Sequence, residues 1–333
     1  MALKITIIGA GSWATALAVA LTRNFYGVTV WTANSQLADD INHRQINQKY
    51  FPNIKLPSLI HAEPDIRIAL QDADYVIIAV PSDAISEIIE TLISSISPKT
   101  NLIVAAKGVD PQTGLFLPEL IEKKFAHIKN LSILAGPTFA KEVIIGTPTA
   151  MVIAAKTNPM GLEVAKLFQQ KSLKVYINQD LIGTAIGGTI KNIVAIAVGI
   201  SDGQGFGANA RSALITRGLA EMVRFSQSYQ ASLQTLYGLS GVGDLILTCT
   251  DNQSRNRRFG MLIGQGSDFQ TAQKQIGQAI EGISSTKQIY QLAQNKQIYM
   301  PITTIVYQIL FQNLAIKEAV EKLLSNELKE ETL

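Results

Sequence analysis

A chain of 333 residues with 47% hydrophobic and 17% charged side chains can bury a large core, and its length suits two domains better than one. A net charge of +3 and a pI near 8.8 suit a small anionic partner and exclude the dense basic face of a nucleic-acid binder. A single cysteine, Cys249, excludes an intrachain disulfide and points to a reducing cytoplasm.

The first predicted element is a strand over residues 4–8, which empties into Gly9-Ala10-Gly11-Ser12-Trp13-Ala14 and then an alanine-rich helix. Gly9 permits a sharp turn, and Gly11 removes the side chain that would block a pyrophosphate. Ala14 keeps the helix close to the strand, so that backbone N–H groups and the positive helix end face the phosphates. Strand, glycine turn and helix in that order point to a dinucleotide. The same segment imitates a secretory signal, but Ser12, Thr15 and the two glycines interrupt its apolar run, which excludes that reading.

Further strands are predicted at 28–31, 75–80, 102–106, 132–135, 149–154 and 174–177, with helices or loops between most of them. This is the alternation of an α/β domain with a doubly wound, mostly parallel sheet, over residues 1–179. After the second strand, an acidic residue would bond a ribose 2′-hydroxyl and an arginine a 2′-phosphate. The chain has Thr32-Ala33-Asn34-Ser35, so the choice between NADH and NADPH stays open. Other strand exits carry Val80-Pro81-Ser82, Lys107-Gly108 and Gly136-Pro137-Thr138-Phe139-Ala140, at the sheet edge where ligands bind. Lys107 there reads either as a phosphate contact or as a surface lysine.

From 180 to 333 the periodicity turns helical, at 214–225, 259–263, 286–293 and 303–314, which predicts an all-α domain. Residues 181–200 are almost wholly apolar, yet Lys191 and Asn192 sit at their middle, where a bilayer would charge about 2.5–3.5 kcal/mol for the lysine. A buried helix of a soluble protein fits better than a membrane span. Gly183, Gly187, Lys191, Ala195 and Gly199 fall four apart on one face, small except for the lysine. An amine in such a setting falls from ~10.4 toward neutrality and becomes a proton acceptor, unless it snorkels to water. Farther on, Gly241-Val242-Gly243-Asp244 precedes Ser254-Arg255-Asn256-Arg257-Arg258. Ser254 suits an N-cap, and the arginines behind it suit an anion held by N–H groups, helix dipole and guanidinium together. The stretch 317–333 reads as a solvated helix or frayed end. His43, His61 and His127 are isolated and Cys249 has no partner at ligand spacing, so no metal is expected.

Over nearly the whole chain, the stretches GAGSWATALA, AVPS, AAKGVD, AGPTFAKEV, TIKNIVAIAVGISDGQGFGANARSALITRGLAE, GVGDLILTC, SRNRRFG and AIEG, in that order, resemble the bacterial NAD(P)-dependent glycerol-3-phosphate dehydrogenases. The resemblance implies a Rossmann domain joined to an all-helical domain of the 6-phosphogluconate dehydrogenase C-terminal type, with substrate bound in the cleft between them. It implies reversible reduction of dihydroxyacetone phosphate by NAD(P)H to sn-glycerol 3-phosphate, a precursor of membrane phospholipids. Carried over motif by motif, Lys191 is the proton acceptor and also touches substrate, beside Lys107, Gly136, Thr138, Asp244, Ser254, Arg255 and Asn256. Ser12, Trp13, Lys107, Ala140, Arg255 and Glu281 are cofactor contacts, next to the turn residues Gly9, Gly11 and Ala14. Asp244 is expected chiefly to orient the amine. Two positions depart from the family pattern: Ala14 replaces the usual glycine, and Ala33 stands where a basic residue often meets a 2′-phosphate. By analogy with related folds the helical domain offers a homodimer face. A reductase for another hydroxy or keto acid would share the glycine turn and helical half without needing an anion site at 254–256. A non-catalytic NADH sensor would have no use for the lysine.

Overall fold

The computed structural model describes residues 3–125, 127–128 and 130–323. The chain forms two compact units, Met1–Leu181 and Ile182–Leu333. The first contains β1 (Ile5–Ile8), α1 (Ser12–Thr22), β2 (Val28–Trp31), α2 (Ser35–Asp39), β3 (Ile46–Asn47), β4 (Phe51–Lys55), β5 (Ile60–Glu63), α3 (Ile66–Leu70), β6 (Tyr75–Ile78), α4 (Ser82–Ser95), β7 (Asn101–Val104), α5 (Leu117–Lys124), β8 (Leu131–Ala135), α6 (Ala140–Ile145), β9 (Thr149–Ala155), α7 (Asn158–Phe168) and β10 (Leu173–Asn178).

Eight of these strands make one sheet in the order β10-β9-β8-β7-β6-β1-β2-β5, parallel throughout except where β8 meets β9. This is the Rossmann-type sheet expected from the strand–helix alternation. Its central strands β1, β6 and β8 are buried along their whole length, which explains their unbroken apolar runs. Strand order reverses at β1, which has β2 on one side and β6 on the other, so the glycine turn leaves the sheet at its switch point. Helix α1 is buried from Ala14 to Thr22, and its alanines let it lie close on the sheet.

Sequence periodicity did not predict β3, β4 or β5. β3 and β4 form a separate antiparallel ribbon, too short and too exposed to show an alternation of period two, while β5 extends the parallel sheet beside β2.

The second unit is helical: α8 (Leu181–Gly203), α9 (Ala208–Gln227), α10 (Leu233–Tyr237), a π-helical turn (Leu239–Gly243), α11 (Asp244–Thr250), α12 (Arg255–Gly264), α13 (Phe269–Ile276), α14 (Glu281–Asn295), α15 (Pro301–Phe311) and α16 (Ile316–Leu323). Helix α8 is the one described helix long and apolar enough to cross a membrane, and 89% of that apolar window is buried inside the protein. Small residues let other chain segments reach its backbone. A Cβ on Gly187 would lie 2.3 Å from the carbonyl of Ser240, and one on Gly199 would lie 2.1 Å from the carbonyl of Arg257. Gly260 and Gly264 of α12 answer in kind, each meeting an α8 carbonyl, so α8 and α12 cross backbone to backbone. Glu221 of α9 caps α15, accepting from the N–H groups of Ile302 and Thr303 and from the Thr303 hydroxyl. Of the predicted tail at 317–333, helix α16 covers the start, and 324–333 lie outside the described residues.

Candidate active site

The parallel strands β2, β1, β6, β7 and β8 are neighbours, so their carboxyl ends share one edge of the sheet. At that edge Gly9 has φ +115°, a conformation closed to most side chains, and a Cβ there would press within 3.0–3.2 Å of Val80 and the Ala79 carbonyl. Gly11 differs. Its φ of −69° suits any residue, and a Cβ there would meet nothing within 4 Å. That open space lies at the start of α1, where among the described residues no side chain caps the N–H groups of Ser12, Trp13 and Ala14. A pyrophosphate fits such a cradle, because it supplies the acceptors that those first-turn donors lack.

A residue outside every motif braces this turn. Asn47 in the ribbon β3–β4 is fully buried, and its side-chain amide donates to the Ala10 carbonyl at 3.0 Å and to the Thr15 hydroxyl at 2.8 Å. Thr15 in turn donates to the Gly11 carbonyl at 2.9 Å. The signal that could have found Asn47 was a lone asparagine between two short polar segments, which is indistinguishable from loop.

At the neighbouring exits, half-buried Lys107 precedes Gly108, whose φ is +134°. Gly136 follows β8 with φ +120°, its missing Cβ making room for Met151, and the Thr138 hydroxyl donates back to its carbonyl at 3.2 Å. Ala140 opens α6. Ala33 is exposed after β2, and Asn34 beside it caps α2 by accepting from the Leu37 N–H at 3.0 Å, so neither residue supplies a cation.

In the helical unit Lys191 is 6% exposed at the middle of α8, and its amine donates to a carboxylate oxygen of Asp244, which is 1% exposed. Asp244 is presented by the π-helical turn, and the Thr248 hydroxyl donates to its carbonyl at 2.6 Å. Amine and carboxylate are thus both withdrawn from solvent and paired with one another. Burial pushes the nearby Cys249 thiol well above its ordinary range, with Lys191 and Arg257 opposing more weakly, which leaves it inert.

Next to Lys191, Asn192 donates through its amide to Glu281 at 3.4 Å and accepts from the Asn256 amide at 2.9 Å. The Asn256 side-chain oxygen accepts from the Gly282 N–H at 2.9 Å. Of the expected residues, Lys191 and Asp244 are thus joined directly, and Asn256 and Glu281 through Asn192, the residue that follows Lys191. The Asn256 amide ties α8 and α12 to the start of α14. The Ser254 hydroxyl caps α12 by accepting from the Arg257 N–H at 3.2 Å, as the sequence pattern predicted. Arg255 in the first turn is half-buried, and its guanidinium has no hydrogen bond or ion pair among the described residues. That leaves a helix N-terminus with a forked cation beside it, an arrangement suited to phosphate.

A cavity of about 1100 Å³ lies elsewhere in this unit, between α8, α9, α15 and α16. Its lining is mostly apolar, including Phe206, Leu214, Ile305 and Ile309, and neither Lys191 nor Asp244 borders it. Among the described residues no group of three or more His, Cys, Asp or Glu side chains could hold a metal.

Comparison with known proteins bears on both units. Residues 4–160 match the family profile described as the NAD-dependent glycerol-3-phosphate dehydrogenase N-terminus, and residues 180–321 match the profile of its C-terminus. The chain is similar to the glycerol-3-phosphate dehydrogenase [NAD(P)+] of Bartonella tribocorum, at 46% identity over 330 residues covering 99% of both chains. The enzyme of the same name from Mannheimia succiniciproducens is 45% identical over 328 residues, 98% of each. Among solved structures, glycerol-3-phosphate dehydrogenase from Coxiella burnetii is similar with a TM-score of 0.94 and 40% identity, over 98% of this chain and 99% of that one.

Proposed function

Because the chain belongs to the NAD(P)-dependent glycerol-3-phosphate dehydrogenase family, we propose that Lys191 moves the proton in its reaction, the interconversion of dihydroxyacetone phosphate and sn-glycerol 3-phosphate. A bound nicotinamide cofactor takes up or delivers the hydride. In the oxidative direction, the amine of Lys191 accepts the proton of the central hydroxyl as that carbon gives up its hydride. In the reductive direction it returns a proton to the carbonyl oxygen, so each turnover leaves the lysine as it began once solvent has exchanged the proton. Asp244 orients the amine and balances the charge it carries once protonated. Arg255, the Ser254 hydroxyl, the remaining Asn256 amide hydrogen and the first N–H groups of α12 hold the phosphate. Lys107, Gly136 and Thr138 complete the substrate contacts from the first unit. The N–H groups of Ser12, Trp13 and Ala14, beside Gly9 and Gly11, would hold the cofactor's pyrophosphate, and Lys107, Ala140, Arg255 and Glu281 would make further contacts.

The observation that carries this reading is the pairing of Lys191 with Asp244 on the glycine face of α8, close in the chain to Asn192, which bonds Asn256 in the first turn of α12. The test follows oxidation of NADH and of NADPH at 340 nm with dihydroxyacetone phosphate, dihydroxyacetone and a 2-keto acid as alternative substrates. Turnover is expected with the phosphorylated ketone. Dihydroxyacetone is expected to lose kcat as well as affinity, because phosphate binding energy is spent on orienting the reacting carbon. Equal turnover with and without the phosphate overturns the reading, and preference for the keto acid replaces it with the alternative reductase. The two rates with the phosphorylated ketone also decide the cofactor preference that Ala33 leaves open.

The reading includes a cytoplasmic setting, supported by a lone cysteine held buried and reduced. It also includes a homodimer, supported by the apolar groove and by exposed Phe206 and Tyr299 along its rim. Light scattering after gel filtration would show a species of twice the chain mass.

A further inference from the structure

Lys191 and Asp202 are eleven residues apart on α8, a separation of about three turns, so they share nearly one face at roughly 16 Å along the axis. Each holds an opposite charge from the segment that packs along that face. At the near end Lys191 meets Asp244, and at the far end Asp202 meets Arg257. Arg257 donates from Nε at 2.9 Å and from Nη2 at 2.6 Å to one oxygen of Asp202, and from Nη1 to the Asn252 side chain. Arg211 of α9 takes the other oxygen, at 2.9 Å and 3.1 Å. With side chains 7% and 5% exposed, Arg257 and Asp202 are both out of solvent.

These contacts divide the arginines of the α12 first turn by role. Arg257 has donors of all three guanidinium nitrogens committed inside the protein, whereas Arg255, two residues earlier, commits none among the described residues. Of these two, Arg255 is therefore the one left to meet a ligand. Arg257 is a strut, and the turn it holds is the one whose N–H groups and guanidinium face the anion. Because α8 and α12 touch at Gly199 and Gly260, a shift of this end of α12 is resisted by backbone on one side and by the Asp202 carboxylate on the other. Two guanidiniums on one carboxylate also leave this cluster with an excess positive charge behind the turn, which favours a phosphate dianion in front of it.

We propose that Asp202, acting through Arg257, is the positioning residue of the phosphate site: it fixes the first turn of α12 relative to the helix that carries Lys191. The proposal rests on the dehydrogenase reading above. It makes Asp202 a determinant of selectivity for phosphorylated over unphosphorylated substrate, without any contact to either.

The test compares wild type with Asp202→Asn, which keeps the side-chain volume and presents an amide where the guanidinium needs an oxygen anion. Expected are a rise of tenfold or more in the KM for dihydroxyacetone phosphate and an equal weakening of competitive inhibition by inorganic phosphate. The residual kcat/KM with dihydroxyacetone should stay within twofold. Asn252→Ala releases one donor of Arg257 with the ion pair intact and should move the same two constants severalfold, which keeps the question answerable if Asp202→Asn does not fold. Asp202→Glu, which restores the carboxylate, should recover part of the loss. Unchanged phosphate inhibition in a folded Asp202→Asn enzyme, or in Asn252→Ala where that enzyme does not fold, overturns the proposal. So does an equal fall with both ketones, which would mark a merely structural residue. Failure of the wild type itself to reduce dihydroxyacetone phosphate would instead overturn the underlying reading.

Discussion

Replacing Lys191 by methionine removes the cation facing a carboxylate that is 1% exposed. The pair lies too deep for solvent to screen it, so the cost is that of a broken buried ion pair, about 3–5 kcal/mol of stability, rather than the fraction of a kilocalorie typical of a surface pair. Asp244→Asn breaks the pair from the other side and should lose a similar amount. The double variant buries no charge at all and should be more stable than either single one. Activity follows a different pattern: Lys191→Met loses about 10²–10⁴ in kcat through the missing proton transfer, and the double variant stays as inactive as that single one. Urea unfolding followed by circular dichroism gives the stability cycle, and steady-state rates with dihydroxyacetone phosphate give the kinetic one. Turnover near wild type in folded Lys191→Met would refute the proton-transfer role. A double variant no more stable than Lys191→Met would refute the claim that the amine neutralises Asp244.

The two turn glycines should separate stability from binding: Gly9→Ala forces an L side chain to φ +115° and lowers the unfolding midpoint, whereas Gly11→Ala leaves it unchanged while raising the Kd for NADH, read by titration of protein fluorescence. Gly199→Ala places a methyl 2.1 Å from the Arg257 carbonyl, so α8 and α12 must part by about 1 Å. Overpacking of this kind costs about 1–3 kcal/mol, and a comparable displacement at the site costs about 10²-fold in kcat/KM; wild-type values for both would show that the crossing gives way freely. Glu221 is pushed up to about 7 by burial, against the opposing pull of Ile302, Thr303 and Arg224. A carboxyl raised above its unfolded value favours the folded state below pH 4.5 and loses that contribution as pH climbs through 7, a change on the order of 3 kcal/mol. Stability measured from pH 4.5 to 8 should therefore fall less in Glu221→Gln than in wild type, and parallel curves would refute the assignment.

What could be read from the chain was what neighbours in sequence decide. The run from Lys4 through Ala14 shows its strand, turn and helix start within a dozen residues, because strand burial, glycine conformation and helix entry are local events. The all-helical second half showed in the same way, through apolar residues three and four apart. Lys191 stood out since one amine interrupts a row of small residues on a single helix face. Ser254 could be read as a cap because a cap is satisfied three residues later.

Contacts between distant segments decided the rest. Lys191 finds Asp244 across 53 residues and Arg257 finds Asp202 across 55, and no period in the chain announces either pairing. They form because glycines on α8 and α12 bring backbones together, and only in that packing do the buried charges meet. Among the arginines near Ser254, sequence alone could not tell that Arg257 is committed inside the protein while Arg255 is not, since all are cations in one basic run. Asn47 was equally silent, because its two bonds to the glycine turn exist only once a short polar ribbon has folded against it. Sequence by itself determined the elements and the chemical groups available to them, while the tertiary structure decided which groups face one another, since a side chain's partner is set by how helices and strands pack rather than by what lies beside it in the chain.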